Sequence, residues 1–242
     1  MKYVVASFAV LAIFSQPVFS QAGSPPKVDE FTDNGHTLRV HFYGHGTLML
    51  DYDNVIIHVD PVSAYVPKDA PQADIILVTH EHGDHLDAAR IAKLTKDGTE
   101  LVTNPAVAGK LKKGLAMKNG ESRTVKGIKI EAVPAYNTTK GREGFHPRGR
   151  DNGYILTLGK KRVYIAGDTE DIPEMAALKD IDIAFLPVNQ PYTMTPAQAA
   201  RAAAMFHPAV LYPYHFGSTN RKELEARLKQ VKGVDVRIRD LK

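Results

Sequence analysis

The chain has 242 residues, 43% of them hydrophobic and 24% charged, with a net charge of +4. That length can bury a sizeable core in one large or two small domains, and the composition excludes a disordered or fibrous chain. The excess positive charge is mild and forms no uninterrupted basic arm, so no nucleic-acid partner is expected, and with no Cys any bound metal must be held by His and carboxylates.

In chain order, Lys2 gives a positive start to an apolar run, Tyr3 to Phe14, broken only by Ser7. Val18-Phe19-Ser20 then places small residues where a signal peptidase inspects the chain. Residues 1–22 are therefore expected to be a signal peptide cleaved after Ser20 or Ala22, because the run falls short of the ~20 residues of a spanning helix. No Cys follows that could carry a lipid anchor. The mature chain is expected to lack a transmembrane segment and to be periplasmic or secreted. Residues 23–36 read as a polar leader, and residues 37–242 as the folded domain.

From Thr37 the pattern is that of strands. Leu38, Val40 and Phe42 alternate with Arg39, His41 and Tyr43. Thr47 to Tyr52 and Val55 to Val59 flank Asp53-Asn54 as a hairpin. Ile75 to Val78 reads as a short buried strand, Leu86 to Thr95 as a helix, and Pro105 to Lys113 as a second, short helix. Strands follow over Ile128 to Val133, Tyr154 to Leu158, Arg162 to Ala166, Ile183 to Leu186, Val210 to Tyr212 and Val234 to Ile238. Thr195-Pro196-Ala197-Gln198 opens a helix that should run to Phe206, since Thr can cap, Pro suits the first turn and Gln198 can close a capping box. A last helix is expected over Lys222 to Val231. The hairpin Gly46 to Asp60 is echoed by Gly153 to Asp168, which suggests two β-rich halves packed face to face with helices outside.

The chemistry concentrates in Thr79-His80-Glu81-His82-Gly83-Asp84-His85, directly after the buried strand. In extended chain, residues two apart point the same way, so His80 and His82 can share one metal. Gly83 permits a bend that turns Asp84 and His85 towards a second. Imidazole and carboxylate are the ligands zinc accepts. Glu81 does not belong to a zincin motif, which needs His rather than Asp at position 84.

His80-x-His82-x-Asp84-His85 resembles the signature of the metallo-β-lactamase fold superfamily. More narrowly, the sequence is similar to the branch containing ascorbate-phosphate lactonase and the N-acylethanolamine phospholipid phospholipase D. The resemblance covers nearly all of the mature chain and implies an α/β (α+β) fold, an αββα sandwich of two mixed β-sheets flanked by helices, with the site at one edge. It also implies two divalent metal ions, zinc first among them. Asp168, in Ala166-Gly167-Asp168-Thr169, matches the carboxylate that bridges the metals. His215, in Tyr212-Pro213-Tyr214-His215, matches the late ligand of the second metal, and Asp60-Pro61 matches a position that supports the metal loops. Where the family has a His after a middle strand, this chain has Asn137. His146, a few residues on, is expected to complete the first site instead, with Asn137 as a pocket residue. His45 recurs in this branch and is expected to line the cleft. His36, His41, His58 and His207 are expected to be structural or surface residues.

Lys140, Arg142, Arg148 and Arg150 surround His146 and can receive a phosphate or carboxylate of the substrate, with Arg148 as substrate contact. Tyr192 is expected to wall the pocket. The implied chemistry is hydrolysis of an ester, lactone or phosphodiester by a hydroxide generated on the metals, with Asp84 as ligand and catalytic residue. The substrate is expected to be a small or lipid-like molecule, an anionic one included. A β-lactam is an alternative substrate, a non-catalytic metal- or ligand-binding protein of the same fold is an alternative class, and a nuclease is disfavoured.

Overall fold

The computed structural model describes residues 28–241. The expected signal peptide and the leader up to residue 27 lie outside the described residues. Two seven-stranded mixed sheets pack face to face. The first contains β1 (Val28–Asp33), β2 (His36–Gly44), β3 (Thr47–Tyr52), β4 (Val55–Val59) and β5 (Ala73–Val78), then α1 (Ala88–Leu94), β6 (Thr95–Thr103), α2 (Pro105–Leu111) and β7 (Leu115–Ala116). The second contains β8 (Ser122–Val125), β9 (Ile128–Ala135), β10 (Asp151–Leu158), β11 (Lys161–Ile165), a 3-10 turn (Pro173–Ala177) and β12 (Ile183–Pro187), then α3 (Pro196–Phe206), β13 (Val210–Tyr214), α4 (Arg221–Leu228) and β14 (Asp235–Val236).

The two halves repeat one pairing order. In each sheet the first three strand pairs are antiparallel and the last three parallel. The echo between the hairpins ending at Asp60 and Asp168 is therefore structural: β3–β4 and β10–β11 occupy the same place in the two sheets.

Strand alternation divides the core. On β5, Ile75 and Leu77 face the space between the sheets, while Ile76 and Val78 meet Ile91 and Leu94 of α1 and Val107 of α2 on the outer face. Between the sheets, Phe42 of β2 packs 4.9 Å from Tyr212 and 6.4 Å from Phe185, ring centre to ring centre. Each such fully buried side chain contributes about 1.5–3 kcal/mol by leaving water. On the other outer face, Phe206 of α3 meets Tyr164 edge-on at 5.7 Å. The Thr195–Gln198 capping box forms as the sequence indicates.

Three segments differ from the sequence reading. Residues 28–33 are not a leader but the edge strand β1, which pairs with β2 through a turn at Asn34-Gly35, both in the left-handed region (φ 48° and 83°). Asp29 fixes this strand to the second sheet: it accepts from Arg239 Nη2 at 2.6 Å and Arg237 Nη1 at 3.2 Å, and the Tyr212 hydroxyl donates to it. Residues 95–103 form β6, a strand not expected from the sequence, which reads as helix up to Thr95; its outer half is polar and exposed. Short strands β7 and β8 extend the two sheets beyond the strands expected.

Candidate metal centre

The loops that matter leave the same edge of the sandwich. Asp60 follows β4, Thr79 to His85 follow β5, Asp168 follows β11 and His215 follows β13. These are the carboxyl ends of the parallel strands, where open α/β sheets present ligand-binding loops. The two sheets are tied here: Tyr154 Oη of β10 donates to the Val78 carbonyl at 3.0 Å, and Asn152 N donates to that of Thr79 at 3.1 Å. His45, Asp60 and His215 hold φ of 51°, 44° and 54°. Left-handed backbone at three non-glycine residues costs energy, and the surrounding structure must hold it. Part of that hold is the His215 N–H donating to the His45 carbonyl at 3.1 Å.

Two groups of donor atoms converge. His80, His82 and His146 form one, with His80 Nε2 3.1 Å from His82 Nδ1. Asp84, His85 and His215 form the other with His45: His215 Nε2 lies 3.0 Å from His85 Nε2 and 3.4 Å from Asp84 Oδ2. Asp168 stands between them. Its Oδ2 is 3.5 Å from His146 Nε2, 4.0 Å from His80 Nε2 and 3.3 Å from His215 Nε2, and its Oδ1 is 3.5 Å from His85 Nε2. The seven residues expected as ligands are thus brought together, His146 included.

A second layer sets which ring nitrogens carry protons. The Thr79 hydroxyl donates to Asp60 Oδ2 at 2.7 Å, so its oxygen accepts from His80 Nδ1 at 3.0 Å and leaves Nε2 a free lone pair. Asp60 Oδ2 also accepts from His85 Nδ1 at 2.7 Å, and Asp60 Oδ1 from the Thr79 N–H at 2.7 Å. Asp151 Oδ2 accepts from His146 Nδ1 at 3.0 Å and is itself gripped by Arg150. His80 and His146 therefore turn an unprotonated Nε2 to the centre. His85 lies between two carboxylates, Asp60 on Nδ1 and Asp168 3.5 Å from Nε2, which hold its pKa well above the ordinary imidazole value; a bound cation would take the place of its Nε2 proton.

Packing allows no slack around His85. A Cβ on Gly46 would lie 2.8 Å from His85 Cε1. Charge follows the geometry. Burial disfavours the Asp168 carboxylate, yet His215 and His85 hold it well below the usual range. Burial also works against Asp84, but the neighbouring His215 and a hydrogen bond from His45 at 3.0 Å hold its pKa well below the usual range. Burial, reinforced by His85, pushes His80 well below the ordinary imidazole value and keeps its lone pair free.

The residues fit divalent cations. Asp168 Oδ1 is buried with no hydrogen-bond partner among the described residues, a vacancy costly for a carboxylate unless a cation faces it. Imidazole nitrogens 3.0–3.1 Å apart with their lone pairs converging match two ligands of one ion at about 2.0–2.1 Å each.

Other expected residues fall elsewhere. Asn137 is buried but does not line the cavity: its Nδ2 donates to the carbonyls of Tyr192 at 2.7 Å and Arg142 at 3.2 Å, and its N–H to that of His146 at 2.9 Å. It braces two loops. Arg148 is exposed and paired with Glu174 at 2.7 Å. Arg142 donates to Gln190, and Arg150 is taken by Asp151 with Glu81 at 3.4 Å. The three arginines around His146 do not converge on an anion site, because each meets a separate partner. His45 lies behind Asp84, stacked against Tyr65 at 5.6 Å and tilted against His215 at 3.7 Å. His36, His41, His58 and His207 lie outside the donor groups. The sequence reading missed Thr79 and Asp151 as orienting residues; both sit at strand ends beside a ligand loop, which is the signal that marks them.

A cavity of about 330 Å3 opens onto the centre. His82, Asp84, His146, Asp168 and His215 form its floor, and Phe145, Asn189 and Tyr192 its walls. Tyr192 thus stands where the sequence reading put it.

A family profile described as Beta-lactamase superfamily domain matches residues 39–215. The chain is 32% identical over 197 residues to a UPF0173 metal-dependent hydrolase of Thermococcus kodakarensis, covering 75% of this chain and 85% of that protein. It is 30% identical over 192 residues to a UPF0173 metal-dependent hydrolase of Thermus thermophilus, covering 75% and 84%. Among solved structures, a Parabacteroides distasonis protein named as a metal-dependent hydrolase is 60% identical with a TM-score of 0.86, covering 89% of this chain and 99% of that one. A metallo hydrolase of Ignicoccus hospitalis, 22% identical with a TM-score of 0.71 over 84% of this chain and 95% of that one, shares the fold.

Proposed function

The chain belongs to the metallo-β-lactamase superfamily and is a metal-dependent hydrolase, and from that premise we propose that it is an exported enzyme that holds two zinc ions and cleaves an ester, lactone or phosphodiester bond in a small molecule. The observation that carries this reading is the buried Asp168 carboxylate, placed between two groups of imidazoles with one oxygen unpartnered.

His80 Nε2, His82 Nδ1 and His146 Nε2 would hold one ion, and Asp84, His85 Nε2 and His215 Nε2 the other, with one Asp168 carboxylate shared. When bound, such ions lower the pKa of water from 15.7 towards about 7 and polarise the oxygen of the bond under attack. The chain's own residues do the rest. Asp60 and Asp151 fix a proton of His85 and of His146 on Nδ1, so Nε2 is the nitrogen that each ring offers to a metal. Asp84 accepts from His45 Nε2 through Oδ2 at 3.0 Å, which orients its carboxylate towards the centre. Its side chain, 45% exposed, reaches the open cavity. Phe145 and Tyr192 wall the mouth. Nothing in this arrangement needs a Ser or Cys nucleophile.

The test is turnover. Zinc-loaded mature protein is assayed on 4-nitrophenyl esters, γ-lactones, bis(4-nitrophenyl) phosphate and nitrocefin, beside Asp84→Asn. Metal-dependent hydrolysis of an ester, lactone or diester, lowered at least about a hundredfold in Asp84→Asn, supports the reading. Preference for nitrocefin would make the enzyme a β-lactamase, and metal binding without turnover on the whole panel would make it a binding protein.

A further inference from the structure

The walls of the cavity carry information that the metal ligands do not. Its mouth is framed by two loops, 137–150 and 188–195. Phe145 from the first meets Tyr192 from the second edge-to-face, centroids 4.9 Å apart and planes at 74°. The loops are fastened: Asn137 donates to the Tyr192 and Arg142 carbonyls, and Arg142 to Gln190. The aromatic pair is therefore a built wall. Tyr192 is nevertheless 44% exposed, and with Val28 it makes up the exposed large apolar side chains among the described residues. An aromatic face held open to solvent at the rim of a reaction centre is a surface for a ligand.

The charge around it is one-sided. Among the described residues no Lys or Arg lines the cavity, while Asp84 and Asp168 do. The nearby guanidinium groups are committed: Arg142 to Gln190 with Glu170 at 3.9 Å, Arg148 to Glu174 and Arg150 to Asp151. Positive charge here would come from the metals, at the bond being broken. A second anionic group, away from that bond, would meet an aromatic wall and no cation, and would lose hydration without repayment.

We infer that the substrate carries an uncharged, apolar or aromatic group beside the scissile bond, seated against Tyr192 and Phe145, and no phosphate or carboxylate remote from that bond. The cavity, about 330 Å3, suits a short acyl chain or single ring rather than a polymer. This deepens the hydrolase reading and rests on its placement of the metals.

The test separates the two. Dissociation constants of zinc-loaded protein are measured by calorimetry for three hydroxamates with the same metal-binding head: acetohydroxamate, hexanohydroxamate and succinate monohydroxamate, whose tail ends in a carboxylate. No turnover is needed. Hexanohydroxamate is expected to bind at least about tenfold more tightly than the succinate compound. Its advantage over acetohydroxamate is expected to shrink about tenfold in Tyr192→Ala, and to shrink in Phe145→Ala too. Equal or tighter binding of the charged tail, no measurable binding of hexanohydroxamate, or an advantage unchanged in both variants would overturn the inference. Ester turnover is followed alongside. Tail preference without turnover removes the proposed ester chemistry and keeps the apolar seat against Tyr192 and Phe145, and turnover without tail preference does the reverse.

Discussion

Asp60→Asn changes a single atom type and reaches both metal groups. In the native chain the carboxylate accepts three hydrogen bonds at 2.7 Å, from the Thr79 N–H, the Thr79 hydroxyl and His85 Nδ1. An amide has only one accepting oxygen. If its NH2 faces His85 and Thr79, it donates to both. His85 must then move its proton to Nε2, and the Thr79 hydroxyl must turn to His80 Nδ1 and displace that proton likewise. If the NH2 faces the Thr79 N–H, two buried donors oppose each other. Zinc binding selects the second arrangement at the cost of one unsatisfied donor, about 1–3 kcal/mol. Zinc affinity should therefore fall between about tenfold and a hundredfold, the usual range for groups that orient metal-binding His. Competition with a chromogenic zinc chelator at neutral pH measures this for both proteins. Binding by Asp60→Asn within about twofold of the parent would refute the argument that Asp60 fixes the ring tautomers.

Three further predictions come from other parts of the chain. His58 is buried with its Nε2 on the Pro71 carbonyl at 2.9 Å, and burial pulls its pKa from 6.5 to about 4. The unfolded chain therefore binds the extra proton first, so this contribution to stability is complete above about pH 6.5 and is lost as pH falls to about 4. Urea unfolding at pH 7 and pH 5 should show a decline smaller by about 2 kcal/mol in His58→Phe than in the parent, and equal declines would contradict this. Asp29→Ala removes the carboxylate that Arg239 and the Tyr212 hydroxyl share, while Arg237 keeps Asp235 at 2.8 Å, and should cost about 2 kcal/mol of unfolding free energy through the charged hydrogen bonds lost; a loss under about 0.5 kcal/mol would mean the clasp between the sheets is unimportant. Gly46→Ala places a methyl 2.8 Å from a ring that Asp60 pins. It should weaken zinc at the Asp84–His85–His215 group by about tenfold or more and spare the His80–His82–His146 group, read as the loss of one of two titration steps.

The metal loop was legible because it is contiguous. Four ligand-type side chains within six residues, directly after a wholly apolar strand, admit few other readings, and Asp168 and His215 stand at strand ends of the second half. The basic residues at 140–150 misled for the opposite reason. The partners of Arg142 and Arg148, which are Gln190, Glu170 and Glu174, lie far off in sequence, and only the tertiary fold shows that those charges are spent. Asn137 misled similarly: its use is to bridge to a loop 55 residues away. β1 and the outer part of β6 escaped because edge strands exposed to water lose the apolar alternation on which strand recognition depends. The Asn34-Gly35 pair, a two-residue hairpin-turn sequence directly before β2, was the available sign of β1.

The central claim is that this chain builds a two-metal centre around Asp168, and metal content per chain tests it most directly. Mature protein purified without chelators is analysed for bound metals, beside His82→Ala and Asp84→Ala, which each remove one group's donor. The account predicts about two divalent ions per parent chain and about one in each variant. One ion in the parent, lost in His82→Ala and kept in Asp84→Ala, would contradict the two-metal centre, and none at all would contradict the metal site itself.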